Sequence, residues 1–113
     1  MKDCIFCSII AKESPATIEY EDDDVLAFWD VDPKAPIHIL IVPKKHITSI
    51  TQIQKEDIPL IGKLVYVGKI LAQKKQIDED GYRLVFNVGR LGGQIVDHIH
   101  LHLLGGQELN KMI

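Results

Sequence analysis

His98, His100 and His102 stand at every second position of DHIHLHLLGG, residues 97–106, with Ile99, Leu101 and Leu103 between them. Three of the five histidines in the chain therefore fall within five residues. On an extended strand, alternate side chains share a face, so the imidazoles line one side and the aliphatic residues the other. At about 3.3 Å of rise per residue, neighbouring rings are rooted roughly 7 Å apart, and one ion or substrate group could touch two of them. The residues alone leave three readings open. The row is a half-buried strand whose wet face is histidine, a catalytic metal site built on H-x-H ligands, or a neutral imidazole placed to act as a nucleophile. The segment just before it, NVGRLGGQ at residues 87–94, contains three glycines. Glycine allows positive φ and lets main-chain N–H groups approach an anion. A phosphate held between such amides and the imidazoles favours the third reading.

A second set of reactive residues opens the chain. Cys4 and Cys7, its two cysteines, are spaced C-x-x-C in CIFCSII. In a cytosolic protein that spacing suggests metal or redox chemistry rather than a structural disulfide. A thioredoxin-type pair would follow a strand of a βαβ unit, and no strand precedes Cys4.

The elements that must position these groups follow from periodicity and breakers. Ile5, Ile9 and Ile10 lie at helical spacing, and Ser14-Pro15 closes a short N-terminal helix. TIEYEDDDVLAFWDVD predicts strands at about 17–21 and 25–30 around a turn at Asp22 to Asp24. DPKAP is a loop, and IHILIVP a strand buried on both faces. From about Glu56 to Gln76, an apolar stripe through Ile58, Ile61, Leu64, Val65, Gly68, Ile70, Leu71 and Ala72 predicts a long helix, with Pro59 in its first turn. DEDG is a turn, YRLVFNV a strand, GRLGGQ a loop and DHIHLHLLGG a last strand. The order is helix, three strands, long helix, two strands. This is an α+β class with a five-stranded antiparallel sheet, whose open edge a second copy would cover as a homodimer.

The bulk numbers agree with one domain spanning residues 1–113. A net charge of -3 argues against nucleic-acid or anionic-membrane binding. No apolar run approaches the roughly 20 residues of a membrane span. With no secretory signal at the N-terminus, a cytoplasmic location is expected.

HIHLHLL at 98–104 resembles the His-φ-His-φ-His-φ-φ signature of the histidine triad superfamily of nucleotide hydrolases and transferases. CIFCSII, EDDDVLAFWDVDPKAPIHILIVPKKHI, GYRLVFNVG, GGQ and LHLLGG are similar, in order and spacing, to the Hint branch of that superfamily over nearly the whole chain. The resemblance implies a hydrolase of nucleoside 5′-monophosphate conjugates, of the adenosine 5′-phosphoramidate type, acting through a nucleotidyl-histidine intermediate on His100. A neutral imidazole suits that role, since its ordinary pKa is near 6.5. His102 then matches the phosphate-contacting third histidine, and His38 a histidine that packs behind the nucleophile and sets its tautomer. Asp30 matches the residue that binds the ribose hydroxyls. Phe6, Ile9, Phe28, Val31 and Leu40 match an apolar pocket for a purine base, as in AMP or GMP. Asn87, Gly93 and Gln94 match groups around the phosphate. Cys4, Cys7, His46 and His98 match a structural zinc site, and no cofactor is needed for catalysis.

The chain departs from that pattern at two places. The residue after GGQ, commonly Ser or Thr in the family, is Ile95. Loss of a positioned donor typically costs about 10²–10³ in rate. ELNKMI also lacks the aromatic C-terminal tail of animal members. An alternative is therefore a nucleotide-binding or partner-binding module with weak or no catalysis, and a metalloenzyme using the triad as ligands is a third.

Overall fold

The acidic run at residues 21–24 turns because Asp22 caps it. Its Oδ1 accepts the main-chain N–H groups of Asp24 at 2.8 Å and Val25 at 2.9 Å, the Asx arrangement that makes aspartate a turn former. The turn joins β1 (Ile18–Glu21) to β2 (Val25–Trp29), and the DPKAP loop leads to β3 (Ile37–Pro43). Before them lies the short helix α1 (Ile5–Ile10); after them come helix α2 (Ile58–Lys74), β4 (Tyr82–Phe86) and β5 (Leu101–Gly105). The computed structural model describes residues 3–110. Its sheet runs in the order β1-β2-β3-β5-β4, with every pairing antiparallel. The expected class and element order are found.

Period-two alternation divides the sheet into two chemically different faces. Val25, Ala27, Ile39, Ile41, Leu101 and Leu103 pack under α2 together with its Leu64, Val67, Leu71 and Ala72. Leu26, Phe28, Leu40 and Val42 face the other way and pack with Phe6 and Ile9 of α1. As expected, β3 is buried on both faces over all but its first residue. Burying a large aliphatic side chain is worth roughly 1.5–3 kcal/mol, so these two layers dominate the stability of the sheet.

Helix α2 comes close to the sheet at Gly68, where a Cβ would lie 3.1 Å from Leu84 Cδ2 and 3.4 Å from Ile41 Cδ1. The helix is shorter than its periodicity predicts. Residues 55–57 form a separate tight turn in which Asp57 Oδ2 accepts the Gln54 N–H at 2.8 Å. Ile58 and Val65, expected on the inner stripe, are 60% and 42% exposed, and Val67 takes the buried position instead.

The histidine strand is also shorter than expected. Pairing with β3 begins only at Leu101. Upstream, the extended chain is held elsewhere, with the Ile99 N–H donating to the Ile47 carbonyl at 2.8 Å. Alternation nevertheless persists, because Ile99, Leu101 and Leu103 all enter the core under α2.

Candidate active site and metal centre

The three histidines share one side of the chain but have different surroundings. His98 is fully buried, and its Nε2–H donates to the Pro43 carbonyl at 2.8 Å. That bond fixes the tautomer, leaving a lone pair on Nδ1. Nδ1 lies 3.4 Å from Cys4 Sγ, 3.6 Å from Cys7 Sγ and 3.1 Å from His46 Nδ1. Cys7 Sγ is 3.2 Å from His46 Nδ1. Cys4 also caps α1, its Sγ accepting the Cys7 N–H at 3.3 Å, so the C-x-x-C is wound by the helix that it starts.

Two sulfurs and two imidazole nitrogens therefore converge within 4.8 Å of one another. Tetrahedral bonds of about 2.0–2.3 Å would space such ligands roughly 3.3–3.8 Å apart, so the donor set fits zinc. The Pro43 carbonyl is the outer partner expected of a metal-bound histidine. Burial, against the Pro43 hydrogen bond, lowers the His98 pKa to about 4, which keeps the ring neutral and able to bind a metal.

His100 is turned differently. Its Nδ1–H donates to the main-chain carbonyl of His98 at 2.8 Å, which leaves the lone pair on Nε2. The ring is 5% exposed and packs against the edge of Phe6, with centroids 5.1 Å apart. Burial lowers its pKa, so at neutral pH the ring is a free base. His100 is not part of the Cys4 cluster.

His102 has the opposite tautomer. The Lys34 N–H donates to His38 Nδ1 at 3.0 Å, so His38 carries its proton on Nε2. His38 Nε2–H in turn donates to His102 Nδ1 at 2.9 Å. His102 is therefore protonated on Nε2, a buried atom with no partner among the described residues. Burial, helped by neighbouring His100 and His38, lowers the His102 pKa to about 4. Asp30 Oδ2 sits 3.4 Å from His38 Nε2, while Asp30 Oδ1 accepts the Asp32 N–H at 2.8 Å. His38 was expected to set the tautomer of His100. It sets that of His102 instead, and the His98 carbonyl performs the expected task on His100.

Asp30, His38 and His102 also bring three ligand atoms together. Their tautomers do not suit a cation, since His38 Nε2 already carries a proton. They suit an acceptor such as a phosphoryl oxygen beside His102.

A cavity of about 440 Å³ opens beside His102, and Asp30, His38 and Asn87 line it. Lys34, Arg83 and Val85 also line it and were missed in the sequence. Arg83 and Val85 alternate with core-facing Leu84 and Phe86, so the period of YRLVFNV could have placed them. Their cationic members bring positive charge to an anion site. His100 does not line the cavity. Its ring centroid lies 4.9 Å from that of His102, which does.

The remaining expected residues divide. Phe6, Ile9, Phe28 and Leu40 pack together, with Phe6 edge-on to Phe28 at 5.4 Å. Val31 lies outside this group and is 95% exposed, because β2 ends at Trp29 and the chain bends away. Gln94 is committed to its own loop. Its Oε1 accepts the Gly89 N–H at 2.9 Å, and its Nε2 donates to the Thr48 and Val96 carbonyls at 2.7 and 2.9 Å. It braces a turn in which Gly89 and Gly93 have φ of 71° and 85°, values that glycine adopts without strain. A Cβ on Gly93 would stand 4.0 Å from Asn87 Cγ, so these two expected residues are neighbours.

Residues 3–112 match the family described as scavenger mRNA decapping enzyme C-term binding. The chain is 45% identical over 112 residues to the purine nucleoside phosphoramidase of Escherichia coli (strain K12), which covers 99% of this chain and 94% of that protein. It is 46% identical over 110 residues to a 14 kDa zinc-binding protein of Brassica juncea, 96% of each being covered. The crystal structure of a HIT family hydrolase from Legionella pneumophila Philadelphia 1 superposes with a TM-score of 0.94 at 50% identity, covering 96% of both chains. The chain therefore belongs to the histidine triad family. Within that family it is an enzyme, homologous along nearly all its length to a purine nucleoside phosphoramidase. Among the described residues, no helix is long and apolar enough to cross a membrane.

Proposed function

We propose that the protein hydrolyses nucleoside 5′-monophosphate conjugates, with His100 as the nucleophile. The observation that carries this reading is the pair of opposite tautomers on adjacent histidines, a lone pair on His100 Nε2 and a proton on His102 Nε2. The His100 Nε2 lone pair attacks the α-phosphorus, forming a P–N bond as the bond to the leaving group breaks. His102 Nε2–H donates to a phosphoryl oxygen, where negative charge accumulates. Water then attacks the nucleotidyl-histidine, and the electron pair returns to Nε2. Asn87 and the turn at Gly93 hold the phosphate, and Asp30 accepts the ribose hydroxyls. The likeness to a purine nucleoside phosphoramidase supports a purine nucleotide such as AMP or GMP.

Cys4, Cys7, His46 and His98 hold a structural zinc in this reading, which cross-links α1 to the strands and supplies no catalytic chemistry. The two free thiols fit a reducing cytoplasm. β4 is a sheet edge, and Tyr66 on α2 is 58% exposed. These features support a homodimer in which the two sheets continue across that edge.

Incubation with an AMP phosphoramidate should release AMP. His100→Ala should lower the rate by about 10³-fold or more. Undiminished release by that variant would remove His100 from the chemistry.

A further inference from the structure

The four donors of the sulfur–imidazole cluster divide by element. Both cysteines belong to α1, Cys4 at its N-cap and Cys7 one turn on. Both imidazoles stand on the sheet side, His46 after the end of β3 and His98 before the start of β5. Only the sulfurs can be oxidised to a bond with each other, so every redox-active donor lies on one side of this joint. A disulfide between two elements would lock them together. One confined to the first turn of α1 does the reverse, because it removes both donors that tie the helix to His46 and His98. The geometry is ready for it. The two Sγ atoms lie within 4.8 Å of one another, and C-x-x-C at the start of a helix is the spacing of redox dithiols. Cys7 is half-buried, and a cavity of about 520 Å³ lined by Cys4 and His46 opens beside the cluster, so a small oxidant can reach the sulfurs. What the joint holds in place is Phe6, which lies between the cysteines in sequence. Its ring is buried and stands edge-on to His98 at 5.9 Å and to His100 at 5.1 Å. Without the joint, α1 is held by the apolar packing of Phe6 and Ile9 on the sheet.

We propose that Cys4 and Cys7 are a redox switch that unfastens α1 when a peroxide oxidises them to a disulfide, loosening the wall that Phe6 makes against His100. This rests on the reading of Cys4, Cys7, His46 and His98 as a structural zinc site. In the first step, one thiolate attacks the O–O bond of hydrogen peroxide, taking one oxygen as a sulfenic acid and releasing hydroxide. The second thiolate then attacks that sulfur, forming the S–S bond and expelling a second hydroxide. The sulfurs give up two electrons, the peroxide takes both, and the oxidation state of the metal ion is unchanged. Only the two imidazoles remain, half of the donors that a structural zinc site uses. A thiol reductant returns both sulfurs and restores the donor set.

The test treats the zinc-loaded protein with hydrogen peroxide and follows metal, thiols and backbone exchange on one sample. The zinc should pass to a chromogenic chelator as intact mass shows the loss of both thiol hydrogens. Amide exchange over residues 5–14 should quicken by about tenfold or more, while α2 keeps its protection. Reduced protein stripped by a chelator should show the same loosened α1 and take zinc back directly. The oxidised protein should do so only after a thiol reductant. Release of AMP from a phosphoramidate should fall about tenfold on oxidation and recover on reduction with zinc, the scale of a lost outer partner. The variant carrying Cys4→Ser and Cys7→Ser is the blank and should not respond to peroxide. A response in that variant, zinc retained after oxidation, a disulfide between chains, or unchanged exchange in α1 would overturn the switch. Unchanged turnover while α1 loosens would overturn the link through Phe6 to His100. Reduced protein that holds no zinc would instead defeat the reading beneath it.

Discussion

Two histidine clusters lie at opposite ends of the row His98, His100 and His102, and main-chain partners give them opposite chemistry. At His98 a carbonyl takes the Nε2 proton, so a lone pair joins two sulfurs and a second imidazole. At His38 a main-chain N–H occupies the lone pair of Nδ1, so the proton of His102 falls on its Nε2, a buried atom without a partner among the described residues. Both clusters satisfy the crude test for a metal site, ligand atoms within 4.8 Å. Only the first has its lone pairs turned inward. Residue type and distance are therefore insufficient, and the main-chain partner decides between a cation site and an anion site.

The sharpest way to break this contrast is to replace Cys4 and Cys7 together with serine. Zinc content should fall to near zero, and the protein should lose about 4 kcal/mol, the stabilisation from a ligand present at a thousand times its Kd. Elemental analysis and Tm on one sample check both.

Acid should act on both clusters, with a sign set by burial. His98 and His102 have folded pKa values lowered to about 4, against about 6.5 unfolded. The unfolded chain thus binds more protons between these values. Stability is complete above about pH 6.5 and is lost as pH falls towards 4, by on the order of 2–3 kcal/mol for such a ring. Thermal melts of the cysteine double variant should keep this acid slope. Its disappearance would trace the slope to metal release alone.

A smaller effect should confine itself to the second cluster. His38→Gln removes the partner that fixes His102, so turnover should fall about 10–100-fold, as when the outer partner of a site is lost. Zinc content should stay at the wild-type level. A parallel loss of metal would show that the two clusters are not separable.

Much of the arrangement was legible in the sequence, because alternation along an extended chain survives even where no ladder forms. Ile99, Leu101 and Leu103 enter the core as their spacing required, although β5 pairs only from Leu101. What could not be read was which loop each polar group would meet. Gln94 looked free for a phosphate, yet its amide finds Thr48, 46 residues earlier. His38 was assigned to the wrong histidine because strand register, which sets Leu40 opposite His102 and His38 opposite Leu104, is a long-range property. Val31 looked like a further pocket residue, but β2 ended two residues before it. The inner stripe of α2 was misjudged at Val65, which lies about 200° round the helix from Val67, the residue that shares the buried face of Leu64 and Leu71.

His98 serves both regions through different atoms, its imidazole to the metal donors and its carbonyl to His100. Every amino acid carries that carbonyl, so position 98 can surrender its ion-binding ring without surrendering the grip on the next ring but one. The aim of the His100 ring is in this sense written into the peptide backbone. A change of side chain at position 98 would thus empty the sulfur–imidazole cluster and leave the hydrogen bond to His100 in place.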